Sequence, residues 1–211
     1  MEWIVVSLAS LLAGFVDAIV GGGGLILTPA LFAVFPTAHP ATLFGTNKSA
    51  SIWGTAAATW QFSRRVQIRW STMLPAAAVG FAASFGGAWL VTIVAPDFLR
   101  KLLPGILLAV LAYTLVKKDL GQHHAPGYDF LNASASAKLL NTATNFAALI
   151  LFTLKGHVWW HYAVVLAVAN VVGSVLGTRM ALKHGTGFVR VVFIFVVSAL
   201  ILKTGYDAFL R

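Results

Sequence analysis

The sequence predicts an all-α polytopic membrane protein, with about seven apolar segments arranged as two three-span repeats behind one glycine-broken segment. Three observations predict it. Of 211 residues, 59% are hydrophobic and 10% charged, whereas a soluble domain carries about 25% charged residues; mean hydropathy is +0.85. The apolar runs approach the roughly 20 residues a helix needs to cross a bilayer, unlike the ten-residue alternating segments of an outer-membrane barrel. Finally, the chain resembles itself at an offset of 90 residues. The expected setting is a multi-pass protein of the cell (inner) membrane, with the lipid bilayer as its first partner.

The first segment, Trp3–Phe35, holds Asp17-Ala-Ile-Val-Gly21-Gly22-Gly23-Gly24. Each glycine in a helix interior costs about 1 kcal/mol relative to alanine, so four in a row predict a break. One half-helix should end near Val20 and another begin near Gly24. A break at membrane depth needs protein or a water-filled cavity to satisfy the freed backbone groups. Half-helix ends of this kind serve transporters as ion sites. The alternative is that the glycines only permit close helix packing. No Gly-Lys-Ser/Thr follows, which excludes a nucleotide P-loop.

Pro36, His39 and Pro40 mark a loop, followed by Ala41–Phe62, which holds Thr46-Asn47-Lys48-Ser49. After Arg64, Arg65 and Arg69 come Trp70–Val94 and, past Pro96 and Arg100-Lys101, Leu102–Val116. A polar loop follows, residues 119–129. Then come Phe130–Leu154, Trp159–Leu182 and Val191–Phe209. Gly173-x-x-x-Gly177 has the spacing of a helix-packing face. The whole chain, 1–211, reads as one transmembrane domain: 1–36 the broken segment, 40–118 the first repeat and 130–211 the second.

At the 90-residue offset Lys48 falls on Lys138, Thr46 on Ser136, Phe62 on Phe152, Trp70 on Trp160, Ser84 on Ser174 and Gly87 on Gly177. Three spans per copy is an odd number, so the copies should run antiparallel, as inverted repeats do. The second copy has no glycine-rich segment before it. Positive charge concentrates at Arg64/Arg65/Arg69, Lys117/Lys118 and Arg179/Lys183/Arg190, loops expected to be cytoplasmic. That placement explains the net charge of +9 without a nucleic-acid partner. Glu2 and the lack of Lys or Arg before the first apolar run argue against a cleaved signal peptide. The absence of cysteine excludes disulfides, thiolate metal centres and cysteine catalysis.

Charged groups inside spans are costly and mark function. They are Asp17, Lys48 and Lys138. Each lysine sits early in its span among hydroxyls and amides, which suits a small oxyanion. The expected binding set is Gly21, Gly22, Gly23, Gly24, Thr46, Asn47, Lys48 and Ser49, facing Lys138, Asn141, Thr142 and Asn145. Lysines that merely extend to the interface are the alternative. Asp17 can pair with a lysine, cap the helix after the glycines or couple a proton. His157 and His161 lie four apart beside Trp159 and Trp160, which fits an interfacial aromatic belt better than a metal pair. No catalytic set, cofactor or metal is expected.

Gly14-Phe-Val-Asp17 through Gly24-Leu-Ile-Leu-Thr-Pro29, with Asn47-Lys48, Ala137-Lys138-Leu-Leu-Asn141-Thr-Ala-Thr-Asn145 and Gly173-x-x-x-Gly177-Thr-Arg179, resembles the TauE/SafE sulfite-exporter family of bacterial membrane transporters. The resemblance implies export of a small sulfur-containing anion such as sulfite or an organosulfonate. It also implies a second glycine-rich segment before the second repeat, and here His124-Ala-Pro126 passes directly to Tyr128-Asp-Phe-Leu-Asn132. The rival expectation is a non-transporting membrane protein, a deletion remnant or a subunit whose small-residue faces assemble it, including as a homo-oligomer.

Overall fold

The computed structural model describes residues 1–65, 68–96, 98–99 and 130–209; of residues 20, 130–134 and 185–209 only the backbone enters the description. The expected segment Leu102–Val116 and the loop at 119–129 lie outside the described residues. α1 (Glu2–Val20) ends where Gly21 and Gly22 both take a φ of 85°, a left-handed backbone that glycine adopts without steric cost. α2 (Gly24–Val34) begins just beyond. The helix ends therefore fall where the four glycines predict them.

The two halves form a hairpin that enters and leaves at one end of the molecule. Trp3, at the start of α1, stacks on Tyr162 with ring centroids 4.0 Å apart. Phe35, just past α2, meets Trp159 at 5.2 Å and Tyr162 at 5.0 Å. The tip of the hairpin points the other way, and Ala18 and Ile19 share a core with Phe62, Ala135 and Ala181.

α3 (Pro40–Ser63) starts cleanly, with Pro40 in its first turn and His39 Nδ1 accepting from the Ala41 amide at 3.2 Å. α4 (Trp70–Ile93), α5 (Phe130–Leu154) and α6 (Trp160–Phe209) follow among the described residues. α6 runs through the expected loop between Leu182 and Val191 without interruption. The intervening residues contain no proline, so nothing in the covalent chain forces a helix to stop there.

Four described stretches are long and apolar enough to cross a membrane: Glu2–Ile19, Trp70–Ile93, Ala135–Leu154 and Trp160–His184. At 24 residues α3 matches them in length. It is not among them because it carries its polar residues inward: Thr42, Thr46, Asn47, Ser49 and Thr55 are buried.

α3 and α5 lie antiparallel. Gly45 sits against Phe152, Lys48 bonds Asn145, Thr59 bonds Thr142, and Phe62 shares a core with Ala135. Two hydroxyls tie the neighbouring helices to this pair. Ser84 on α4 donates to the Thr144 carbonyl on α5 at 2.8 Å, and Ser174 on α6 donates to the Gly54 carbonyl on α3 at 2.6 Å.

α1 packs along α6 through glycine. A Cβ at Gly14 would strike the Asn170 carbonyl, one at Gly173 the Leu11 carbonyl, and one at Gly177 the Phe15 carbonyl. Gly173-x-x-x-Gly177 is thus a packing face against α1. Polar bonds hold the seam, with Ser10 Oγ donating to the Leu166 carbonyl at 2.7 Å and Asn170 Nδ2 to the Ser10 carbonyl at 3.1 Å. Among the described residues α4 packs chiefly on α5 and has no such glycine seam: Ala88 is its one buried residue, and Gly86 and Gly87 are exposed.

Candidate functional site

Asp17 organises the break. The Gly21 amide donates to its carbonyl at 2.9 Å and the Gly23 amide to its Oδ1 at 3.1 Å. The carboxylate thereby satisfies a backbone donor that the interrupted helix frees. Gly23 has no alternative residue that fits, because a Cβ there would collide with the Ala13 carbonyl and the Asp17 side chain. Asp17 also accepts from Asn141 Nδ2 at 3.3 and 3.4 Å, and its Oδ2 lies 3.7 Å from Lys138 Nζ. The two side chains are only 13% and 4% exposed, so this is a buried ion pair.

Beside it, between the break, α3 and α5, is a cavity of about 390 Å³. Asp17, Gly22 and Gly24 line it from the broken segment, with Asn47 and Lys48 from α3 and Asn141 and Asn145 from α5. Lys48 Nζ donates to Asn145 Oδ1 at 2.8 Å. Among the described residues no carboxylate pairs with Lys48; the one nearby, Asp17, is already engaged by Lys138. Gly22 and Gly24 are part of the lining. They stand at the N-terminal end of α2, where the helix dipole favours negative charge. A lysine and three carboxamides thus line one space together with the paired Asp17 carboxylate.

The other expected site residues are placed differently. Lys138 is not part of the lining but stands behind Asp17, which is, with its amine 3.7 Å from the Asp17 Oδ2. Gly21 and Gly23 shape the break behind the cavity wall. Thr46 accepts from the Trp159 amide at 3.1 Å, Ser49 donates to the Thr46 carbonyl at 2.7 Å, and Thr142 donates to the Lys138 carbonyl at 2.8 Å. These three hold helices and loops in place. Sequence reasoning missed Thr28, Ser51, Leu25, Pro29 and Phe44, which complete the lining. Thr28 and Ser51 bracket Asn47, its Nδ2 donating to Thr28 Oγ1 at 2.9 Å and its Oδ1 accepting from Ser51 at 3.2 Å. The signal for Ser51 was its place one helical turn beyond Asn47. Among the described residues no group of three His, Asp or Glu side chains is arranged to hold a metal. His157 and His161 each keep to aromatic company, with His39 and with Trp3 and Tyr162.

Comparison with known proteins decides the family. The model of the Sulfite exporter TauE/SafE family matches residues 6–128 and 122–204. The chain belongs to the TauE/SafE family. It is 30% identical to the probable membrane transporter protein YfcA of Escherichia coli (strain K12), over 94% of this chain and 88% of that protein. It is 29% identical to the probable membrane transporter protein ORF9 of Sinorhizobium sp, over 92% and 89%. A probable membrane transporter protein of Haemophilus influenzae is 26% identical over 92% and 91%. No solved structure shows significant similarity to the chain. The alignment to YfcA runs over 238 positions, more than the 211 residues present here. That TauE/SafE relative therefore carries residues within the aligned region that this chain lacks. The relatives are named as membrane transporters, and the apolar helices of this chain fit a multi-pass membrane protein.

Proposed function

We propose that this TauE/SafE chain is a secondary transporter that exports a small sulfur-containing oxyanion, sulfite or an organosulfonate, bound in the cavity beneath the glycine break. One observation carries the reading. Lys48 brings an amine into that cavity with a carboxamide oxygen as its bonded partner, while the Asp17 carboxylate that shares the lining is ion-paired to Lys138, so an anion supplies the charge that Lys48 lacks. The Gly22 and Gly24 amides and Asn47, Asn141 and Asn145 supply donors around it. Leu25, Pro29 and Phe44 give the cavity an apolar wall, which suits the organic portion of a sulfonate.

The architecture behind this reading is an inverted repeat, 40–118 and 130–211, in which the last two expected spans of the second unit run as the single helix α6. The antiparallel course of α3 and α5 supports it. So do the Ser84–Thr144 and Ser174–Gly54 bonds, which exchange under the 90-residue offset. Transporters of this construction place substrate at the repeat interface, near half-helix ends. Asp17 is the coupling residue in the same reading. A proton on Asp17 would release Lys138 and loosen the Gly23 amide, changing the charge and the shape of the break together.

Sulfite efflux from proteoliposomes holding this chain alone, with and without a proton gradient, tests the proposal. Gradient-dependent flux that falls in Lys48→Met supports it; absence of flux from folded protein refutes it for this substrate. A second reading, that the chain is an assembly subunit, is favoured by the exposed glycines of α4. Its Gly87 has nothing within contact distance, whereas Gly177, 90 residues later, packs against α1. Flux only after co-reconstitution with a second polypeptide would favour that reading.

A further inference from the structure

At the end of the molecule opposite the Trp3–Tyr162 stack, a second cavity of about 390 Å³ opens between α3 and α6. Four cations line it: Arg64 and Arg65 where α3 ends, and Arg179 and Lys183 on α6. None of the four has a carboxylate partner among the described residues. Loop charge that only sets orientation does not need to converge, yet these side chains come from positions more than 100 residues apart to face one space. Trp60 forms part of the wall, and the Arg64 guanidinium lies 4.8 Å from its ring centroid. That contact orients a donor fork of the kind that grips phosphate oxygens from two sides.

The surface above the cavity is apolar. Trp53 lies two turns before Trp60 on the same face of α3, and the two are 62% and 60% exposed. Val172 and Leu176 lie on the α6 stripe that continues to Arg179 and Lys183, and both are exposed. Apolar rails above a cluster of cations match an intact phospholipid, with acyl chains along the helices and phosphate at the arginines. A free phosphate ion would use the cations and leave the rails idle.

We infer that the Arg64–Arg65–Arg179–Lys183 cavity is a binding site for an anionic phospholipid, taking the headgroup phosphates of a diphosphate lipid of the cardiolipin type. Basic pockets between transmembrane helices recognise such headgroups, and four cations balance two phosphates with charge to spare. The site is separate from the cavity beneath the glycine break and does not depend on what that cavity binds.

The test is native mass spectrometry of the purified full chain, with thermal unfolding alongside, in the presence of cardiolipin, phosphatidylcholine or inorganic phosphate. Cardiolipin is expected to stay bound and raise the unfolding temperature, and the other two to do neither. The variant R64Q/R179Q should bind cardiolipin about thirty-fold more weakly, since each surface cation contributes about 1 kcal/mol toward an anionic lipid. K155Q, which removes a charge at the opposite end, should bind as the parent does. If R64Q/R179Q does not fold, K183Q alone reads the same site, with a smaller loss. Equal retention of phosphatidylcholine, equal stabilisation by inorganic phosphate, or undiminished binding by the charge-removed variant would each overturn the assignment.

Discussion

Lys48 and Lys138 stand 90 residues apart, each early in its helix and each among hydroxyls and amides, yet they live in different electrostatic surroundings. Lys138 is paired with Asp17 at 3.7 Å, whereas Lys48 lines the cavity and bonds only Asn145 among the described residues. The difference comes from the hairpin. Asp17 is delivered by α1, which packs most extensively on α6 and brings Asp17 to Lys138. One lysine is thus neutralised by the fold, and the other has no ion-pair partner among the described residues. Buried charge needs a partner, and the proposed function assigns that part at Lys48 to the anion.

The largest effect should come from breaking the paired side. Asp17→Asn leaves Lys138 buried without its counter-ion and weakens the Gly23 anchor, which should cost about 3–5 kcal/mol in thermal or denaturant unfolding. Adding Lys138→Met to that variant should restore much of the loss. No restoration would mean that the cost lies in the hairpin anchor and not in the pair.

On the unpaired side the effects should fall on binding. Lys48→Met should weaken anion binding by at least about ten-fold, the loss expected for a hydrogen bond to a charged group worth roughly 1.5–3 kcal/mol. Its fold stability should hold or rise. Lys138→Met should do the reverse and lower stability, because it strands Asp17.

The covering helix can be probed at matched positions. Gly177→Leu should cost about 1–3 kcal/mol by overpacking against α1. Gly87→Leu should stay within about 0.5 kcal/mol, as substitutions at uncovered sites do. Equal damage from both would show that Gly87 is covered as well.

The smallest effect concerns the loop end. Burial, then the neighbouring charges of His39 and Lys155, hold His157 below the ordinary imidazole value of 6.5. The folded chain therefore binds fewer protons there than the unfolded chain does. This contribution to stability is complete above about pH 6.5 and is lost as pH falls through the lowered value. The unfolding temperature should drop on acidification from neutral pH, and His157→Gln should flatten that slope.

Much of this was legible in the sequence. The four glycines located the break to the residue, because no other side chain tolerates a φ of 85° at two successive positions. Apolar span lengths marked most of the helices, and charge inside spans singled out Asp17, Lys48 and Lys138. Their pairing was not legible, since which lysine meets Asp17 depends on which helix α1 packs against. Thr46, Ser49 and Thr142 looked like ligands because hydroxyls that bond the backbone and hydroxyls that bind substrate have the same one-letter code. The continuity of α6 past Leu182 was also hidden, as glycines at 185 and 187 read as a loop when nothing else is known.

The most direct test of the central claim is a sulfite titration of three purified proteins, followed by calorimetry: the parent chain, Lys48→Met, and the doubly neutralised Asp17→Asn/Lys138→Met. The parent and the double variant should bind sulfite with similar affinity, and Lys48→Met should not bind measurably. Binding by Lys48→Met equal to the parent, with binding lost in the double variant, would place the anion at Lys138 and contradict the account.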